Sequence, residues 1–159
     1  MYSAFASEGF LSEALFSAVA EEAEVTRLRD IEPQNLANTV WAFAMVEIWE
    51  GVLMEIASSR ARGTLREFNA QELANTAWGF AKAGHASEKL FATLAIAAGQ
   101  GVIGFNMQGL GMTLWALSRH ESPQDAWTLV DHAKLIGVSV SPRCSGVLLM
   151  ECEQRRLFG

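Results

Sequence analysis

The 159-residue chain is half apolar and only 19% charged, so it can bury a core of ordinary domain size, and its formal net charge of −6 excludes a uniformly basic surface. Every apolar stretch is broken before the roughly 18 to 20 residues that a membrane span needs, and MYSAFASEGF lacks a basic segment leading into an apolar one, so neither a membrane span nor a transit peptide is visible. Cys144 and Cys152 form no CxxC pair and His85, His120 and His132 fall at unrelated spacings, which argues against a disulfide framework, a metal site or any cofactor held by such ligands.

In chain order, YSAFAS reads as the remnant of a helix and is followed by a predicted helix near residues 12–25. PQNLANTVWAFA comes next: Leu36, Val40, Phe43 and Ala44 share one helical face, Ala37 and Trp41 widen that apolar arc, and Pro33 suits a first turn. A second helix through Leu53 fades into SSRARG. AQELANTAWGFA repeats the first phrase with Asn69 as its N-cap, and SEKLFATLAIAA opens on Ser87 and fades into AAGQG. MQGLGMTLWALS follows Asn106 in the same way, and a further helix begins at ESPQ, where Ser122 is placed to cap. SPRCSGVLLMECEQRR starts one more, with Cys152 one step beyond the last tryptophan of the series.

These elements recur at a fixed step. Trp41, Trp78 and Trp115 are 37 residues apart, and so are Leu36, Leu73 and Leu110, or Gln34, Gln71 and Gln108. Phe16, Leu53, Leu90 and Trp127 keep the same step in the second helix of each unit. Neither helix can bury its apolar face alone, but stacked pairs with a period in the 30s build a continuous core. With no strand alternation to compete, the expected class is all-α: a right-handed α-solenoid of helix-turn-helix repeats with a 37-residue period. The expected units are a partial repeat at 1–30, full repeats at 31–67, 68–104 and 105–141, and a C-terminal helix at 142–159. The C-terminal helix reads as a partial or a capping repeat, and the preferred expectation is a piece of a longer array, since an N-terminal cap should present a polar outer face and not a half repeat.

The phrase shared by PQNLANTVWAFA and AQELANTAWGFA, with the helix pair around it, resembles the octotricopeptide repeat family and its FAST-kinase-like and heptatricopeptide relatives. The likeness is good over 31–136. It implies an α-solenoid that binds single-stranded RNA in mitochondria or plastids and acts in the processing, stability or translation of organellar transcripts. No GxSxG or GxxxxGK[ST] motif accompanies it, so no enzymatic activity is expected. The alternative is a protein-binding scaffold of the same architecture, for which acidity is no handicap.

At 100° per residue Gln34, Asn38 and Met45 lie in a narrow strip beside Trp41, matched by Gln71, Asn75 and Lys82 and then by Gln108, Met112 and Arg119. Amides there can meet base edges, and Lys82 and Arg119 can reach phosphates, on a line continuing toward Arg155 and Arg156. For the constant Asn38 and Asn75 the preferred reading is an inter-repeat ladder of amide-to-backbone bonds, with base contact as the alternative. Base-reading positions should vary between units, which turns attention to Asn35, Glu72 and Gly109 and to Met45, Lys82 and Arg119. The tryptophans read as core plugs with Leu36, Phe43, Leu73, Phe80, Leu110 and Leu117, base stacking being the alternative for an exposed indole. Thr39 with Ala42, and Thr76 with Gly79, are small enough to let neighbouring helices approach closely. The acidic excess is all N-terminal: residues 1–62 carry ten acidic and four basic side chains, and 63–159 carry eight of each.

Overall fold

A computed structural model of the chain describes residues 30–47, 51–85, 87–119, 123–135 and 137. Among them all regular structure is helical: α1 (Pro33–Val46), α2 (Gly51–Thr64), α3 (Ala70–Lys82), α4 (Glu88–Gln100), α5 (Met107–Arg119) and α6 (Pro123–Leu135), with 3-10 turns at Leu65–Glu67 and Val102–Gly104. The predicted helices near 12–25 and from Ser141 onward, together with Phe16, His120, Ser122, Cys144, Cys152, Arg155 and Arg156, lie outside the described residues.

The helix ends follow local chemistry. Pro33 occupies the first turn of α1, where a missing N–H costs nothing. Asn69 caps α3 in a reciprocal box: the Glu72 N–H donates to Asn69 Oδ1 (3.0 Å) and the Asn69 N–H donates to Glu72 Oε2 (2.8 Å). Asn106 Oδ1 accepts from the Gly109 N–H (2.7 Å), and Ser87 Oγ accepts from the Leu90 N–H (3.4 Å). Beyond α3, the His85 N–H bonds to the Phe80 carbonyl and the Gly84 N–H to that of Ala81, a Schellman ending that needs the left-handed Gly84 at φ 66°. At the matching end of α1 the left-handed residue is Glu47, at φ 57°. Glu47→Gly should therefore raise stability by about 0.5–1 kcal/mol, since glycine adopts that conformation without a Cβ penalty. An unchanged or lowered thermal midpoint would show that the side chain of Glu47 matters more than its backbone.

One predicted boundary moves. SSRARG does not fade but continues α2 to Thr64, because Ala57, Ala61 and Leu65 are all buried along it. The Arg60 Nη2 on this helix donates to the Ile31 carbonyl (3.4 Å) and ties α2 to the lead-in of α1. The 3-10 turns that follow α2 and α4 have no counterpart among the expected elements. Each starts on a buried aliphatic, Leu65 or Val102, and delivers a buried phenylalanine, Phe68 or Phe105, to the residue before the Asn cap. Phe68 and Leu73 stand at the positions of a hydrophobic staple across the start of α3.

The helices form two layers. In one, α3 packs between α1 and α5; in the other, α4 packs between α2 and α6. Connections α1 to α2, α3 to α4 and α5 to α6 hold the layers together over a single apolar core. Its largest enclosed side chains include Phe43, Phe80, Leu36, Leu53, Leu90, Leu110 and Leu117. The α1–α3 crossing is close. A Cβ on Gly79 would lie 2.6 Å from Val40 Cγ1 and 3.1 Å from the Val40 carbonyl carbon and oxygen. The equivalent residues on the flanking helices, Ala42 and Ala116, are also fully buried. Gly79→Ala should destabilise by about 1–2 kcal/mol, because overpacking against backbone outweighs the helix-propensity gain of ~1 kcal/mol. The check is a lower urea midpoint at unchanged m value; a higher midpoint would mean that the crossing has room.

Candidate functional site

The outer face of the α1–α3–α5 layer carries the repeated strip. On α1 it runs Gln34, Asn38, Trp41, Met45; on α3 Gln71, Asn75, Trp78, Lys82; on α5 Gln108, Met112, Trp115, Arg119. The spacing of four, three and four residues keeps each set within about 60° of one helix face. Gln34, Met45, Gln71, Gln108 and Arg119 are exposed, while Asn38, Asn75, Met112, Lys82 and the three tryptophans are half-buried.

The three tryptophans, which the sequence indicated as core plugs, are partly buried rather than fully enclosed. The enclosed position lies two residues further on, where Phe43, Phe80 and Leu117 are each at most 1% exposed. Leu36, Leu73 and Leu110 are likewise buried, whereas Trp115 packs at the margin of the core. Trp41 and Trp78 share this intermediate burial, so the tryptophan position lies at the border of the apolar face and not at its centre. Two indoles carry a cation one turn later: Lys82 Nζ stands 5.2 Å from the Trp78 ring centroid and Arg119 Cζ 5.4 Å from that of Trp115. On α1 the same place is held by Met45. Both cations also sit in the last turn of their helix, where they complement the helix dipole.

The amides behave differently from a ladder. Gln71 Nε2 donates to Asn75 Oδ1 at 2.9 Å, one turn along the same helix, and among the described residues no hydrogen bond carries Asn38 or Asn75 across to a neighbouring helix. Glu72, read as a variable base-contacting position, spends its carboxylate on the capping box of α3. Gly109 is buried, with Ala74 Cβ 3.5 Å from where its own Cβ would stand, so it serves helix packing. Asn35 is exposed, and its carbonyl accepts from Thr39 Oγ1 (2.7 Å).

One ion pair of the strip was invisible in the sequence. Glu47 Oε1 lies 3.8 Å from Lys82 Nζ, joining the end of α1 to the end of α3. Charge pairs between helices leave no periodic trace, and glutamate gives no hint of a left-handed turn. Near this end of the layer an open cavity of about 180 Å³ is bounded by Phe80, His85, Phe91 and Arg119 among others, with the Phe80 and His85 rings 5.5 Å apart. His85 Nε2 is 3.6 Å from Glu55 Oε2. Among the described residues no group of three or more His, Cys, Asp or Glu side chains could hold a metal ion, and no helix is long and apolar enough to cross a membrane.

Comparison with models of known protein families and with curated proteins finds no match.

Proposed function

We propose that this chain binds single-stranded RNA along the outer strip of the α1–α3–α5 layer, as a right-handed α-solenoid of 37-residue helix pairs. The observation that carries the reading is the recurrence, on three adjacent helices, of an amide, an indole and a terminal cation or methionine in one line that is exposed at its ends, Lys82 excepted, and half-buried along its middle. That combination offers hydrogen bonding to base edges, an aromatic surface and charge for phosphates, which are the needs of an unpaired strand. Support for the solenoid comes from the starts of α1, α3 and α5 at Pro33, Ala70 and Met107, one sequence period apart, and from the chain-order packing of each layer. Membership of the octotricopeptide repeat family, and with it a role in organellar RNA processing, stability or translation, rests on the resemblance of the repeated phrase.

The second reading, a protein-binding scaffold, is favoured by the net charge of −6, which works against non-specific attraction to a polyanion. Fluorescence anisotropy of labelled single-stranded RNA pools at low salt separates the two. Saturable, salt-sensitive binding supports the RNA reading. A folded, helical chain that leaves every pool unbound, yet retains protein partners after nuclease treatment, would replace it with the scaffold.

A further inference from the structure

We infer that Trp78 with Lys82, and Trp115 with Arg119, form two successive nucleotide-holding pairs in which the indole stacks on an unpaired base and the cation takes the adjoining phosphate. This rests on the proposal of RNA binding and goes beyond it by assigning the interactions to the half-buried tryptophans. An indole held in place by partial burial has little side-chain entropy left to lose when a base arrives, and the base takes the ring face that the cation vacates as it turns to the phosphate. The cations are already at hand, 5.2 and 5.4 Å from the ring centroids, in the same geometry on two consecutive repeats.

Lys82 has a second neighbour besides the ring. Its ammonium lies over the indole and, at the same time, 3.8 Å from the Glu47 carboxylate. A carboxylate and an aromatic ring thus share one lysine, and a phosphate would compete with the carboxylate for it. Glu47 is 73% exposed, so its hold on Lys82 is weak and a phosphate can displace it. On α1, Trp41 with Met45 offers the ring without the charge, so the first repeat holds a base less tightly than the next two.

The test titrates the full chain at low salt with ten-nucleotide oligo(U) and oligo(A) RNA, and with inorganic polyphosphate as a base-free polyanion, following both affinity and tryptophan emission. RNA should quench emission and polyphosphate should not. Trp78→Phe with Trp115→Phe should remove most of that quenching, and Trp78→Leu with Trp115→Leu should weaken RNA roughly tenfold or more while leaving polyphosphate unchanged. Glu47→Gln should strengthen RNA binding about two- to fivefold. RNA that binds without quenching, or with equal affinity for wild type and the leucine variant, overturns the stacking pairs and leaves electrostatic RNA binding intact. No binding of either RNA by the helical wild-type chain overturns the proposed function itself. The quenching measurement uses unaltered protein, so a leucine variant that fails to fold does not spare the inference.

Discussion

Replacing Phe80 with alanine should cost about 3–5 kcal/mol, and replacing the larger Trp78 on the same helix should cost less, about 1–3 kcal/mol. Phe80 is 0% exposed and belongs to the continuous core, so its removal leaves a closed cavity that surrounding helices can fill only in part. Trp78 is half-buried at the border of that core. Deleting its ring opens a notch that water can enter, and the loss is confined to the fraction of apolar area that was covered. Chemical denaturation of both variants gives the comparison directly. A Trp78→Ala cost equal to or above that of Phe80→Ala would restore the tryptophans as the plugs of each repeat and remove the aromatic surface from the candidate site.

That comparison also marks how far the sequence could be read. Among the described residues, helix identity and order, the Asn69, Asn106 and Ser87 caps and the close approach at Gly79 were legible, because each depends on residues near one another in sequence or on a repeat that averages out local noise. The repeat also concealed something. A position kept constant in every unit looks equally like a plug and like a surface feature that every unit needs, and only burial separates Trp41, Trp78 and Trp115 from Phe43, Phe80 and Leu117. Phe68 and Phe105, with Leu65 and Val102 three residues before them, kept the same 37-residue step and could have announced the 3-10 turns. Glu72 is a different case: variation between units marked it as a reader, and its carboxylate closes the N-terminal capping box of α3, a role that the sequence reading did not give it. The pairing of Glu47 with Lys82 had no sequence signal, since it depends on where two helix ends come to rest.

Reversing both strip cations, Lys82→Glu with Arg119→Glu, should lower affinity for single-stranded RNA by tenfold or more at about 0.1 M salt. For every phosphate no longer neutralised, the plot of log affinity against log salt should also flatten by about 0.7. The size of the effect follows from the charge distribution: on an acidic chain, binding must draw on local positive groups, and these two share a line with the indoles and amides. Net charge alone would also weaken binding, so the comparison needs a second pair. Lys89 and Lys134 are exposed on α4 and α6, in the other layer, and Lys89→Glu with Lys134→Glu lowers the formal charge by the same amount. Exposed charges farther from a bound strand than the screening length of about 10 Å at 0.1 M salt act on it weakly, and the other layer carries its charges away from the strip. Affinity in this control should stay within about twofold of wild type at that salt. Lys82→Glu faces Glu47 and adds a negative charge to a helix C-terminus, so part of any loss could come from the fold. Lys82→Gln with Arg119→Gln removes the positive charges without adding negative ones, and should keep the helical signal while still flattening the salt dependence. Equal loss from the strip pair and the control pair would mean that RNA responds to the charge of the whole chain and not to a site on the α1–α3–α5 layer.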